Sequence, residues 1–429
     1  MNGDAVAAPS PLKTIGSAAA LHRRVLGHAG RLLAGDAASR IFSFGTAAYL
    51  ARVVGVEAFG LLTFAQVLLG YVVLVADWGL GTSGVREIAS TPSDARRIAV
   101  GVTVLRTILA VGVTAVALPA AWFGTWDDRT RAVVGMTLLA AIPLAAIPDF
   151  AFRGAERMTE AAFIVALLPG LILLGSVLVV HGPRDLLLVP AVRTGAAILT
   201  ATISLVLVTQ AARMPQRMWR WSWHREYGAA RTRLRAGSIL FATNLAVLAH
   251  SSLDVLFVRA LLGDHAVGLY SAAYRVIQLP MGAFYALTAA ALPVLVRFRE
   301  HRVAVGHWLV GTAVAAGAVI ALFIWGLRVH IIRLIYGDPY LDAAGVLGIL
   351  AAAVLFDFTV AVKGTSYIAR GWERWALICV GIAVVVNVAA NLMLIPRLGL
   401  SGAALSAIIS YATLLGSYLV WLDRRLVAR

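Results

Sequence analysis

The chain has 429 residues, of which 60% are hydrophobic and 14% charged, and it carries a net charge of +16. Soluble domains run about 45–50% apolar and about 25% charged, so this composition excludes a soluble domain and indicates an integral membrane protein. A single cysteine, Cys379, excludes an internal disulfide and a Cys/His metal cluster, and the basic excess is that of cytoplasmic loops facing anionic lipid rather than of a nucleic-acid binder.

Residues 1–32 contain Lys13, Arg23 and Arg24 without a continuous apolar run, which predicts a cytosolic tail rather than a signal peptide. A bilayer-crossing helix needs about 20 mostly apolar residues. Twelve stretches meet that need: 33–54, 58–82, 98–121, 132–152, 160–181, 186–210, 237–261, 266–296, 304–328, 343–366, 374–395 and 401–422. With the N-terminus placed inside, inner segments hold about three times as many Lys and Arg as outer loops. That bias predicts both termini in the cytosol, and the arginine-heavy basic content, with Lys13 and Lys363 the only lysines, points to a bacterial cytoplasmic membrane. The predicted organisation is a tail (1–32), an N-lobe of six spans (33–210), a basic linker (211–236), a C-lobe of six spans (237–423) and a short tail (424–429). Trp219, Trp221 and Trp223 interleave with arginines in the linker, a pattern suited to the headgroup level.

The sequence repeats itself at an offset of 208. Gly55 falls on Gly263, Ala58 on Ala266, Gly60 on Gly268, Leu61 on Leu269 and Ala65 on Ala273. The glycines read as a tight outer turn, since only glycine takes positive φ at no steric cost. At the same offset Asp36 aligns with Asn244, Ser43 with Ser251 and Thr46 with Asp254. At 100° per residue, Asp36, Ser39, Arg40, Ser43 and Thr46 share one arc of about 120° on the first span; Thr243, Asn244, His250, Ser251 and Asp254 do so on the seventh. Polar stripes in hydrocarbon must face protein or water. Six spans per half is an even number, so the halves are parallel repeats, an arrangement of secondary transporters that bind between the halves.

"ARVVGVEAFGLLTFAQ" (51–66), "DWGLGTSGVREIAS" (77–90), "GLYSAAYRVIQLPMGAFYALTAAALPVL" (268–295) and "IPRLGLSGAALS" (395–406) resemble the polysaccharide transport family. These are Wzx-like flippases of lipid-linked oligosaccharides, in the superfamily that also holds MATE drug exporters and lipid II flippases. The resemblance runs from about residue 31 to the end. It implies an all-α membrane fold of about twelve helices, two six-helix lobes around a central cavity that opens alternately to each side. It further implies a polyprenyl-diphosphate-linked glycan as cargo, with membrane lipids and polysaccharide-assembly proteins as partners, no nucleic acid and no catalytic step.

Charges inside spans are candidates for function, because each is costly at mid-bilayer unless paired or hydrated. The bases are Arg40, Arg106, Arg193, Arg275 and Lys363; the acids are Asp36, Asp77, Asp149, Asp254 and Asp357. Guanidinium groups donate paired hydrogen bonds to phosphate oxygens, so Arg275, Arg40, Arg106, Arg193 and Lys363, with Asn244 and Ser43, form the expected diphosphate and sugar set. Arg275 stands out, with no opposite charge within a helical turn. The plainer alternatives are self-neutralisation of Asp36 and Arg40 at i, i+4, snorkelling of Lys363, Asp77 and Asp149, and cross-helix pairing of Arg106 and Arg193. His250 and Asp254 are also i, i+4; with Asp36 and Asp357 they are candidates for H⁺ or Na⁺ coupling, against a plain interhelical hydrogen bond. No metal or organic cofactor is expected, and Asn387 and Asn391 are expected to bridge helices.

Two other functions compete. A polysaccharide polymerase or ligase needs a large outer loop or a catalytic motif, and the sequence has no HExxH, Gly-x-Ser-x-Gly or phosphate-binding glycine loop. A MATE-type cation antiporter needs buried acids and aromatics, and five bases against five acids do not decide that question.

Overall fold

The computed structural model describes residues 11–210, 223–297, 302–370 and 372–427. The arginine-flanked Trp219 and Trp221 lie outside them. Among the described residues there are helices and no strands. The N-terminal half contains α1 (Pro11–Val54), α2 (Val56–Asp77), α3 (Leu80–Ser90), α4 (Ala95–Trp122), α5 (Asp128–Leu139), α6 (Ala141–Ala145), α7 (Asp149–Gly154), α8 (Met158–Val179) and α9 (Leu188–Gln210). The C-terminal half contains α10 (Trp223–Leu262), α11 (Asp264–Arg297), α12 (Arg302–Tyr336), α13 (Ala343–Ala369), α14 (Glu373–Leu398) and α15 (Leu400–Val427).

Ten helical stretches among the described residues are long and apolar enough to cross a membrane. The two long helices outside that set are α1 and α11, whose polar side chains face the interior cavities described below; with them the crossings number twelve. Several boundaries differ from the sequence reading. Much of the expected N-terminal tail is helical and continuous with the first span, because α1 begins at Pro11. The second span ends at Asp77, where Trp78 and Gly79 adopt left-handed backbone and turn the chain into α3. The fourth span is three short helices rather than one, since Pro143 and Pro148 fall in its middle and proline removes a ladder donor. The ninth continues to Tyr336, so the outer loop after it shrinks to the segment around a short 3₁₀ turn, Asp338–Tyr340.

Each half packs in the same order: α1 on α8 as α10 on α14, α2 on α4 and α5 as α11 on α12 and α13, and α8 on α9 as α14 on α15. The lobes meet where α2 packs on α11. The repeated glycines divide into two kinds there. Gly55 (φ 84°) and Gly263 (φ 87°) make the turn between helices, as the repeat implied. Gly60 and Gly268 do not: both lie inside helices, where a Cβ on Gly60 would collide with the Asp264 carbonyl and one on Gly268 with the Val56 carbonyl. Residues 56 and 264 are themselves equivalent at the offset of 208. The crossing is therefore two-fold symmetric at the level of single atoms, and the absence of two side chains permits it.

Further contacts close the lobes on this same face. The Tyr340 hydroxyl donates to the Ala51 carbonyl (3.0 Å), and Arg52 donates to the carbonyls of Ile335 (2.8 Å) and Leu334 at the end of α12. Arg259 donates to Thr130 (3.3 Å) and lies over the Phe64 ring at 4.0 Å. On the opposite face the lobes touch along one diagonal, α2 and α3 against α10. Glu87 accepts two hydrogen bonds from Arg233 at 2.9 Å, and Trp78 stacks on Phe241 at 4.2 Å with rings 9° apart.

A branched side chain at the glycine crossing must push the lobes apart, at a cost of about 1–3 kcal/mol. Gly268→Val should lower the thermal unfolding midpoint of the detergent-purified protein. The Gly60→Val, Gly268→Val double variant should fall short of additivity, because both substitutions separate one interface. Gly112→Ala, at a position with open space around it, should leave the midpoint unchanged.

Candidate functional site

Two neighbouring chambers share Ser39, Ser43 and Arg275 in their lining, and α1 supplies one wall of each. All five polar positions of its stripe line them: Asp36, Ser39, Arg40 and Ser43 in a chamber of about 560 Å³ on the C-lobe side, and Ser39, Ser43 and Thr46 in one of about 390 Å³ on the N-lobe side. Arg275 of α11 lines both, as does Ser43. Arg275 therefore marks the boundary between the chambers.

The N-lobe chamber is walled by α1, α2, α8 and α9. Its charged lining is Arg193 and Arg275; its other polar members are Gln66 and the hydroxyls of Ser39, Ser43 and Thr46. Arg275 donates to the Gln66 side-chain oxygen at 3.4 Å and lies over the Phe59 ring at 5.6 Å, both neutral partners. Among the described residues neither Arg193 nor Arg275 has an acid within ion-pairing distance. The floor is apolar, formed by Leu50, Leu62, Leu168 and Ile172. Two guanidinium groups without an acid partner among the described residues, in a low-dielectric pocket, favour an anion there.

The C-lobe chamber has a different chemistry. Tyr274, Gln278, Gly282 and Tyr285 come from α11, Asp357 from α13, Tyr411 from α15, and His250 and Ser251 from α10. Tyr285 donates to Asp357 (3.0 Å), the hydroxyls of Tyr274 and Tyr411 lie 3.4 Å apart, and His250 Nδ1 lies 3.0 Å from Ser410 Oγ. Asp36 and Arg40 pair at 2.8 Å with both side chains 43% exposed to the chamber, so the i, i+4 neutralisation is made. The Arg40 guanidinium lies against Gly282 of the other lobe.

Other candidates lie elsewhere. Arg106 is 8% exposed inside the N-lobe, 3.1 Å from Asp77 and 3.8 Å from Asp149, and it donates to the Ile147 carbonyl at 3.2 Å. It is a structural clamp rather than a phosphate ligand, with Asp77 as its counter-ion and Asp149 shared between it and Arg153, so neither acid is a snorkelling group. Lys363 and Asn244 line neither chamber, and Asn244 is exposed.

The His250–Asp254 pair is not formed. Asp254, 4% exposed, accepts from Tyr270 (2.8 Å), Asn387 (2.9 Å) and Asn391 (2.7 Å), tying α10, α11 and α14 together. Asn387 and Asn391 thus bridge helices. The sequence reading missed the tyrosines, Gln66 and Gln278. Yet Tyr274, Arg275, Gln278 and Tyr285 fall within about 100° of one another on α11, a stripe of the same kind as that on α1. Among the described residues no group of His, Cys, Asp and Glu is arranged to hold a metal.

Asp254→Ala would strand the buried donors of Tyr270 and Asn387, each at about 1–3 kcal/mol, while Asn391 keeps its bonds to Asn387. That variant should lose thermal stability markedly, while Asp254→Asn, which keeps an acceptor oxygen, should retain more of it. An alanine variant as stable as the parent would remove the structural role.

Comparison with known proteins places this architecture. The multidrug resistance MATE family transporter of the MOP superfamily, in its inward-facing conformation, superposes with a TM-score of 0.74 at 16% identity, over 91% of this chain and 95% of that one. The lipid II flippase MurJ, inward closed, gives 0.70 at 14% identity over 90% and 86%. A MATE family transporter in the outward-facing conformation gives 0.65 at 16% identity over 94% and 96%. No curated protein matches the chain. The profile of the polysaccharide biosynthesis protein family matches residues 27–299, more than half of the sequence. The chain therefore belongs to the polysaccharide biosynthesis protein family and folds as two six-helix lobes in the manner of MATE transporters and the lipid II flippase.

Proposed function

We propose that the protein is a flippase that moves a polyprenyl-diphosphate-linked oligosaccharide across the bacterial cytoplasmic membrane by alternating access. The observation that carries this reading is the N-lobe chamber, where Arg193 and Arg275 stand without an acid among the described lining. Each uncompensated charge costs a few kcal/mol at membrane depth. An arrangement that retains two of them suits a cargo that supplies the counter-charge. A diphosphate supplies it, the glycan follows into the larger chamber, and the isoprenoid tail stays in lipid. No bond is made or broken.

Alternating access needs two ways of closing. The glycine crossing, Tyr340 and Arg52 hold one face shut at the level of the backbone. The Glu87–Arg233 pair and the Trp78–Phe241 stack are the contacts that form and break on the other. With the basic segments and both termini inside, the glycine crossing lies outside, and the greater overlap with the inward-facing relative, 0.74 against 0.65, agrees with that orientation.

The cation-antiporter reading draws on acids, and the geometry removes most of them. Asp77 and Asp149 serve Arg106, Asp36 serves Arg40, and Asp254 is saturated by three donors. What remains in the chambers, among the described residues, is Arg193 and Arg275 without an acid partner against one carboxyl, Asp357. That balance favours an anionic cargo.

Arg275→Ala and Arg193→Ala should each abolish glycan export in cells while the protein still inserts, and Arg275→Lys should restore it in part, because an ammonium keeps the charge but loses the paired donors. Export is read as surface polysaccharide, with immunodetection of the protein in the membrane fraction. Full export by either alanine variant would remove the role assigned to that residue.

A further inference from the structure

We infer that the two chambers divide the cargo between them: the N-lobe chamber seats the diphosphate, and the C-lobe chamber recognises the saccharide joined to it, selecting an uncharged sugar over an acidic one. This rests on the reading of the cargo as a lipid-linked glycan and assigns the residues that would set its specificity.

The division follows from what each wall can bond. A phosphate accepts hydrogen bonds and donates few, so it is recognised by donors, and the charged lining of the smaller chamber is two guanidinium groups. A sugar ring offers hydroxyls that both donate and accept, together with an apolar face. It is recognised by mixed acceptors and donors and by aromatic rings, and the larger chamber supplies these: Tyr274, Tyr285 and Tyr411, the Gln278 amide and the Asp36 carboxylate. Gln278 and Tyr285 are exposed to the chamber rather than buried in packing.

Charge assigns the direction. Asp357 is 2% exposed, and one of its oxygens has no hydrogen-bonding partner; Tyr285 satisfies the other. Asp36 reaches the same chamber and leans on Arg40. The larger chamber therefore contains two carboxyl groups against one paired and one boundary guanidinium. A uronic or sialic acid placed there would meet carboxyl groups with no free cation beyond Arg275, which the diphosphate already engages. Because Arg275 borders both chambers, the glycosidic phosphate falls at that residue and the first sugar immediately beyond it. The order along the cargo, tail to phosphate to sugar, then matches the order across the lobes.

The test is binding to the full-length protein in nanodiscs, followed by intrinsic fluorescence. The three probes are geranylgeranyl diphosphate, the same lipid diphosphate carrying one N-acetylglucosamine, and the same carrying one glucuronic acid. The neutral glycosyl probe should bind about tenfold more tightly than the sugar-free one, the gain expected of one or two added hydrogen bonds. The glucuronyl probe should gain nothing. Gln278→Ala and Tyr285→Phe should each reduce that gain without changing affinity for the sugar-free probe, and Arg193→Ala should weaken all three probes alike.

Thermal unfolding of each variant separates lost binding from lost folding, and Gln278→Asn keeps the amide if the alanine variant does not fold. Equal affinity for sugar-free and neutral glycosyl probes, or equal weakening of both by the Gln278 and Tyr285 variants, overturns the division while the anion site stands. No binding of the sugar-free probe, or no effect of Arg193→Ala on it, overturns the flippase reading and the division with it.

Discussion

Two missing side chains hold the lobes at their working distance. Helices in lipid gain little from hydrophobic burial against one another, so they associate by close packing around small residues. At the crossing of α2 and α11 that packing reaches its limit: the Cα of Gly60 faces the carbonyl of Asp264, and that of Gly268 faces the carbonyl of Val56. Contacts of this kind contribute about 0.5–1 kcal/mol each, but their geometric effect is larger. They fix how closely α2 and α11 approach, and hence where Arg275 of α11 stands against the N-lobe chamber. Phe59, one residue before Gly60, is positioned by the same crossing to lie beneath the Arg275 guanidinium. The site inherits this geometry from the interface.

Charge is the second organising constraint. A membrane chain tolerates few unpaired ions, and this one spends most of its intramembrane charge on itself. Arg106 with Asp77 and Asp149 stiffens the N-lobe, while Asp254 with Tyr270, Asn387 and Asn391 stiffens the C-lobe. These clusters are equivalent in purpose but not in chemistry, since one is an ion pair and the other a carboxyl among neutral donors. Once they are set aside, the remaining charges other than Lys363 converge on the chambers. Lobes stiffened in this way hold Arg193, Arg275 and Asp357 in place without drawing on them for their own packing.

Much of the fold was legible because its signals are periodic. Span length and the 208-residue offset each follow from regular helices and a duplicated half. The turn role of Gly55 and Gly263 followed as well. That of Gly60 and Gly268 did not, because a glycine that turns the chain and one that admits a neighbour's backbone are the same letter. Among site residues, Arg275 and the α1 stripe could be read from isolation and phase. Arg106 could not be separated from Arg275 by sequence, since its partners are 29 and 43 residues away and meet it only when α2, α4 and α7 pack. The failure of His250 to pair with Asp254 has the same origin: helical spacing allows the contact, but three donors from other helices compete for the carboxyl. The tyrosines were overlooked because hydropathy treats tyrosine as ordinary interior, although their phase on α11 marks a wet face.

The symmetry of the glycine crossing bears on where the protein came from. Residue 60 meets 264 while 268 meets 56, the reciprocal pattern that defines an isologous interface between identical subunits. A polypeptide of half this length would present the same surface to a second copy of itself and close a dimer around a two-fold axis. In such a dimer every substitution would appear twice and the two sides of the cavity could not differ; in a single chain they can, and here one chamber is basic while the other carries carboxyls and tyrosines.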